Sequence, residues 1–142
     1  MSRFLCPKCN QNLTDQDPAL VRFMGELSGP RFHVQFPIFL PAQLGVYGAA
    51  YPDYIHMEPG AEVRFLCPHC KSDLALPSVD RHSWVILEED NGVKSAVVFN
   101  RVFGEHSSFQ FDLETHRLKA AYGENIDQYR EDFNRELNFF GC

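Results

Sequence analysis

The chain has 142 residues, 44% hydrophobic and 23% charged, with 13 Phe and a formal net charge of −6. These values suit one compact domain, or one domain with a subdomain, and exclude a disordered polyelectrolyte. With 13 Lys and Arg against 19 Asp and Glu, the charge balance also opposes a phosphate backbone as partner.

From its start to Cys6 the chain carries one Arg and no apolar h-region, so no secretory signal is expected. No run of about 18 apolar residues predicts a membrane span. The uncharged stretch from Phe32 to Pro52 is broken by His33, Gln35, Pro37, Pro41 and Gln43, whose polar or backbone groups lipid would leave unpaired. A soluble, cytoplasmic protein is the expectation.

The first element is Arg3-Phe4-Leu5-Cys6-Pro7-Lys8-Cys9, and it recurs as Arg64-Phe65-Leu66-Cys67-Pro68-His69-Cys70. Each copy runs through a polar tripeptide to a leucine, Leu13 or Leu74. Arg-Phe-Leu reads as the end of a strand, and the two-residue gap as a tight turn that aims two sulfurs at one ion. Two such turns, related by a local pseudo-twofold, supply four thiolates, Cys6, Cys9, Cys67 and Cys70, in a tetrahedron with metal–sulfur bonds of about 2.3 Å. Zinc, one per chain, suits that geometry because it has no ligand-field preference and accepts soft ligands. Four thiolates and one divalent cation would bring the net charge to about −8.

The paired Cys-Pro-x-Cys turns resemble those of the zinc-ribbon class, in which two hairpin knuckles share one metal. The resemblance spans Phe4–Leu13 and Phe65–Leu74 and implies a structural zinc. Many ribbon knuckles place Gly after the second cysteine, where the chain needs a positive φ; Asn10 and Lys71 stand there instead. Three competing readings of the cysteines are iron, redox-active pairs and disulfides. Iron-binding rubredoxins carry the glycines missing here. A redox knuckle needs a helix behind it, which neither Gln11–Gln16 nor Ser72–Val79 resembles, and a reducing compartment opposes disulfides. Because four protein ligands leave no open position for water, a zinc here would be structural. His69, inside the second turn, is expected to point outward. Cys142 at the C-terminus is expected to be uninvolved.

Residues 10–66 that separate the two knuckles number 57, too many for a structureless loop. Ala19–Leu27 and Arg31–Ile38 predict a hairpin turning at Ser28-Gly29-Pro30. Phe32, Val34, Phe36 and Ile38 alternate with polar residues in the period-two pattern of a half-buried strand. Pro37 should end that strand or put it on an edge. Residues 39–54 are aromatic and rich in Pro and Gly. Of these only Asp53 is charged, and the uncharged part, Phe39–Tyr51, reads either as a docking loop or as a cap over the chain's own core. Asp53 and His56 are expected to be turn residues.

Trp84–Asp90 and Val93–Phe99 flank Asn91-Gly92, which predicts a two-residue type I′ turn. That turn would set Glu89 opposite Lys94 and Trp84 opposite Phe99. Both faces of the hairpin are apolar, so both need a cover. Phe109–Leu113 and Leu118–Tyr122 predict a second hairpin across Glu114-Thr115-His116-Arg117. From Asn125, the spacing of Ile126, Tyr129, Phe133, Leu137 and Phe140 predicts an amphipathic helix. The expected fold class is therefore α+β, mainly β. A zinc-ribbon region over 1–80 carries a β insert at about 14–62, and residues 81–142 supply hairpins and the C-terminal helix.

Three functions are compatible with these elements. A non-enzymatic accessory protein would present residues 39–54 and the 84–99 hairpin to a protein partner or a second copy of itself. A nucleic-acid-binding ribbon would have Arg3, Lys8, Arg64 and Lys71 as its patch, against the overall charge. A small zinc-containing subunit of an enzyme complex could use Glu105 and His106, a carboxylate beside an imidazole. Neighbours on extended backbone point apart, so for this pair a polar turn is the simpler reading.

Overall fold

The computed structural model describes residues 2–77 and 79–129. Eight strands run in chain order among them: β1 (Arg3–Leu5), β2 (Leu20–Gly29), β3 (Phe32–Pro41), β4 (Arg64–Leu66), β5 (His82–Glu88), β6 (Lys94–Asn100), β7 (Ser108–Asp112) and β8 (Leu118–Tyr122). A single helical turn, α1 (Ile126–Tyr129), follows. The strands form two antiparallel sheets, one ordered β1-β5-β6-β7-β8 and the other β3-β2-β4.

The two short knuckle strands are exchanged between the halves of the chain. β1 pairs with β5, setting Arg3 opposite Glu88, while β4 pairs with β2, setting Arg64 opposite Glu26. The β1–β5 pairing joins residues on either side of residue 80 by backbone hydrogen bonds. Beyond the cysteines the likeness of the halves continues. Leu13 accepts from the N–H of Arg22 at 2.8 Å, and Leu74 accepts from Trp84 at 3.0 Å. Each knuckle thereby feeds the hairpin that follows it.

The main core lies between the sheets. Phe23 and Phe65 from the three-stranded sheet meet Phe99 from the other, with ring centroids 5.0–5.5 Å apart. Such edge-to-face contacts add to simple burial of the rings. A second cluster covers the outer face of the five-stranded sheet, where Leu76, Val79 and Tyr129 pack on Trp84, Val98, Phe109 and Phe111. Both faces of the β5–β6 hairpin are thus buried, as its composition requires.

The expected α+β class is corrected to all-β. Among the described residues the only helix is the four-residue turn α1, and the outer cover comes from Leu76 and Val79 as well as from Ile126 and Tyr129. Phe133, Leu137 and Phe140 of the expected helix lie outside the described residues, as does Cys142.

The register of β5–β6 differs by one residue from the expected one: Glu88 faces Lys94 and Trp84 faces Val98. The turn is the cause. Gly92 N–H donates to Glu89 O and Glu89 N–H to Val93 O, both at 2.9 Å. Gly92 sits at φ +83°, while Asn91 does not take the positive φ that a type I′ turn demands. This is the three-residue loop, a type I turn closed by a left-handed glycine. The slip exchanges partners across each face, so Trp84 and Ile86 lie with Ala96 and Val98.

β3 continues through Pro37 to Pro41 because it is the outer strand of its sheet, where a missing N–H is tolerated. Residues beyond it fold back: Phe39 bridges Ala50, and Leu40, Ala42, Leu44, Ala49 and Tyr51 pack on the main core. Val46 and Tyr54, at 46% and 68% exposure, remain on the surface.

Candidate metal centre

Each knuckle is built by the same backbone bonds. Asn10 N–H donates to Cys6 O and Lys71 N–H to Cys67 O, both at 2.9 Å. Cys6 N–H then bonds Gln11 O at 2.9 Å, and Cys67 N–H bonds Ser72 O at 3.0 Å. Closing the turn this tightly requires a left-handed residue, and Asn10 and Lys71 both take φ +64°. The positive φ expected after the second cysteine is present, therefore, without glycine. Asn accepts it readily; Lys does so at greater cost.

These turns bring all four sulfurs together. The Sγ atoms of Cys6, Cys9, Cys67 and Cys70 lie within 4.8 Å of one another and can hold a metal ion. Cys6 Sγ is 3.8 Å from Cys70 Sγ, and Cys9 Sγ is 3.7 Å from Cys67 Sγ. A tetrahedron with metal–sulfur bonds of ~2.3 Å has edges of ~3.8 Å, so these separations fit one tetrahedral ion and greatly exceed a disulfide bond. Backbone donors face the inner sulfurs: Lys8 and Cys9 N–H lie 3.3 and 3.4 Å from Cys6 Sγ, and His69 and Cys70 N–H lie 3.3 and 3.5 Å from Cys67 Sγ.

Burial sets the electrostatics. It pushes the Cys6 thiol up to about 12 and raises Cys67 as well, overcoming the backbone donors that favour their thiolates. Cys70, exposed, is lowered to about 6, chiefly by its hydrogen bonds with Ser72. Buried thiolates next to other thiolates are costly without a compensating charge, and a divalent cation supplies it. His69 is exposed, as expected; its ring Nε2 reaches Asn12 O at 3.3 Å rather than joining the sulfurs.

The arginine that opens each knuckle anchors it to a carboxylate on the adjoining strand. Arg64 Nη1 lies 3.0 Å from Glu26 Oε1, and Arg3 Nε lies 2.7 Å from Glu88 Oε1. Glu26 is the more enclosed, at 7% exposure. Hydrogen bonds from Gln35 and His33, with Arg64, hold its carboxyl down at about 2. Neither glutamate is distinguished by sequence pattern alone. The repeated Arg-Phe-Leu is the signal that could have pointed to them, since paired arginines on exchanged strands call for paired acids.

Glu105 and His106 engage different partners. Glu105 accepts from Asn100 Nδ2 at 3.0 Å and from the Tyr129 hydroxyl. Burial pushes its carboxyl up, but these donors and the nearby Arg81 outweigh that and leave it below the ordinary range. His106 stacks on Tyr47, with ring centroids 4.4 Å apart, and its Nδ1 lies 3.1 Å from Glu124. A buried network unmarked in the sequence lies alongside: Ser107 Oγ is 3.2 Å from His82 Nε2 and accepts from Asn100 Nδ2 at 3.0 Å. His82 and Ser107 are 0% and 1% exposed, so this network joins β5 to the β6–β7 connection.

No helix among the described residues is long and apolar enough to cross a membrane. Comparison with family models, curated proteins and solved structures finds no match to this chain, so its closest description is the one its own geometry supports: a β protein with a four-cysteine site of zinc-ribbon-like arrangement.

Proposed function

We propose that the chain is a non-enzymatic zinc protein in which one structural ion fixes a small β scaffold that docks a protein partner. The observation that carries this reading is the cluster of four sulfurs at tetrahedral spacing. An all-thiolate tetrahedral set favours zinc, and four protein ligands leave no coordination position for a substrate. The ion would be held at the junction of β1 and β4, the strands exchanged between the sheets, so its binding energy becomes folding energy. Docking is proposed through residues 39–54, where Val46 and Tyr54 are exposed, and through the 84–99 hairpin, of which Val93 at the turn is exposed.

Elemental analysis of the purified protein tests the metal: one zinc per chain is expected, and iron, or no metal at all, would overturn it. For the partner, affinity purification from the native host should recover a protein whose capture weakens in Tyr54→Asp. A salt-dependent mobility shift with nucleic acid would overturn the protein-partner reading instead.

A further inference from the structure

The core between the sheets does not close completely. A cavity of about 360 Å³ opens beneath residues 40–49, with Phe23, Ile38 and Phe65 on one wall and Val85, Val97 and Phe99 on the other. We infer that this cavity is a binding site for an uncharged, largely apolar small molecule with one hydrogen-bonding end.

Size is the first support. Protein interiors hold few voids larger than a water molecule, whereas sites for small organic ligands span ~300–1,000 Å³. Water is a poor occupant of the apolar part, because an ordered water needs two to four polar partners there. The second support is the placement of polar groups. Tyr47, His106 and Ser108 all line the cavity and are contiguous, with the Tyr47 hydroxyl donating to Ser108 Oγ at 3.3 Å and its ring stacked on His106. Two hydroxyls at one end of an apolar chamber can exchange hydrogen bonds with an alcohol or carbonyl.

Charge decides the class of that end. The basic side chains on the lining are Arg101 and His106, and both already face carboxylates. Arg101 lies 3.6 Å from Glu62 and 4.0 Å from Asp73, and His106 lies 3.1 Å from Glu124. Glu105, also on the lining, adds negative charge. An anionic head would meet net repulsion; a neutral one would not.

Tyr47 ties the segment roofing the cavity to this polar end, so a ligand seated there would touch both roof and walls. The test is a titration of the full, zinc-loaded chain with Nile red, an uncharged dye whose emission shifts blue in apolar surroundings. One saturable site per chain is expected, with 1-decanol displacing the dye at least tenfold more effectively than decanoate. Ala49→Trp, which fills the cavity from its roof, should weaken dye binding at least tenfold with the far-ultraviolet circular dichroism unchanged. Leu44→Trp serves the same purpose should Ala49→Trp not fold. Phe32→Ser, exposed and off the lining, should bind as the native chain does. Unsaturable binding, native affinity in a folded cavity-filling variant, or loss of binding in Phe32→Ser would overturn the site. Equal competition by decanoate would overturn the neutral head.

Discussion

The two knuckles share a sequence and a backbone, yet the halves they open are unlike. After the first, a hairpin with a two-residue turn leads into the segment that roofs the cavity; after the second, a three-residue turn leads into β7 and β8. The sheets consequently hold three and five strands. The anchors differ in kind as well: Glu26 is enclosed by Arg64, His33 and Gln35, whereas Glu88 meets Arg3 and, at 3.8 Å, Lys94 nearer the surface. The likeness thus covers the four-sulfur cluster, the turns that build it and the strand exchange. Outside those few residues the two halves differ in strand number and turn length.

The largest effects should fall where the halves are equivalent. Cys6→Ser and Cys67→Ser each remove one inner sulfur, and each is expected to abolish cooperative folding, as should a strong chelator. Structural zinc contributes ~10 kcal/mol or more in small domains, more than the whole stability of many. Circular dichroism with metal analysis checks this, and a folded variant of either would separate the halves where they are held to be alike. Next comes the aromatic bridge between the sheets. Phe65→Ala should cost about 3–5 kcal/mol by denaturant unfolding, from lost burial and the cavity left behind.

The anchors should break the comparison. The folded-state carboxyl of Glu26 sits at about 2, below its ordinary value of 4.5, so its ionised form stabilises the fold. That contribution is complete above pH about 4.5 and disappears as pH falls toward about 2. The stability gap between the native chain and Glu26→Gln should therefore close across that window. Glu88 is also lowered, by Arg3, and Glu88→Gln should show the same sign with a smaller gap, because its surroundings are more exposed. The smallest effect distinguishes the two left-handed positions. Lys71→Gly should raise stability by about 1 kcal/mol, and Asn10→Gly by clearly less, since Lys bears the greater strain at positive φ. Thermal unfolding of the two variants side by side measures the difference.

The site was more legible in the sequence than the fold. Cys-Pro-x-Cys repeated with its Arg-Phe-Leu leader encodes the clustered sulfurs, the turn and the strand within seven residues, so local chemistry suffices. Strands β2, β7 and β8 lie within two residues of the expected bounds, while β3 runs three residues past its expected end. The β5–β6 register did not follow, because Asn91-Gly92 is compatible with two turn geometries whose outcomes differ by one residue. The periodic apolar residues after Asn125 suggested a helical layer, but the described chain covers its outer sheet face with Leu76 and Val79 too. Pairings such as Arg64 with Glu26 depend on which strand lies beside which, and one-dimensional periodicity carries no record of that.

The strand exchange also bears on how the molecule comes to exist. Arg3 finds its opposite number 85 positions later, at Glu88, so β1 cannot pair before β5 has been made. Until residues 64–70 are made, the β2–β3 hairpin lacks β4 along one margin, and Cys6 and Cys9 have no counterparts. Such distant pairings slow folding. A chain made only that far would have an open sheet margin and could offer a metal two of the four sulfurs.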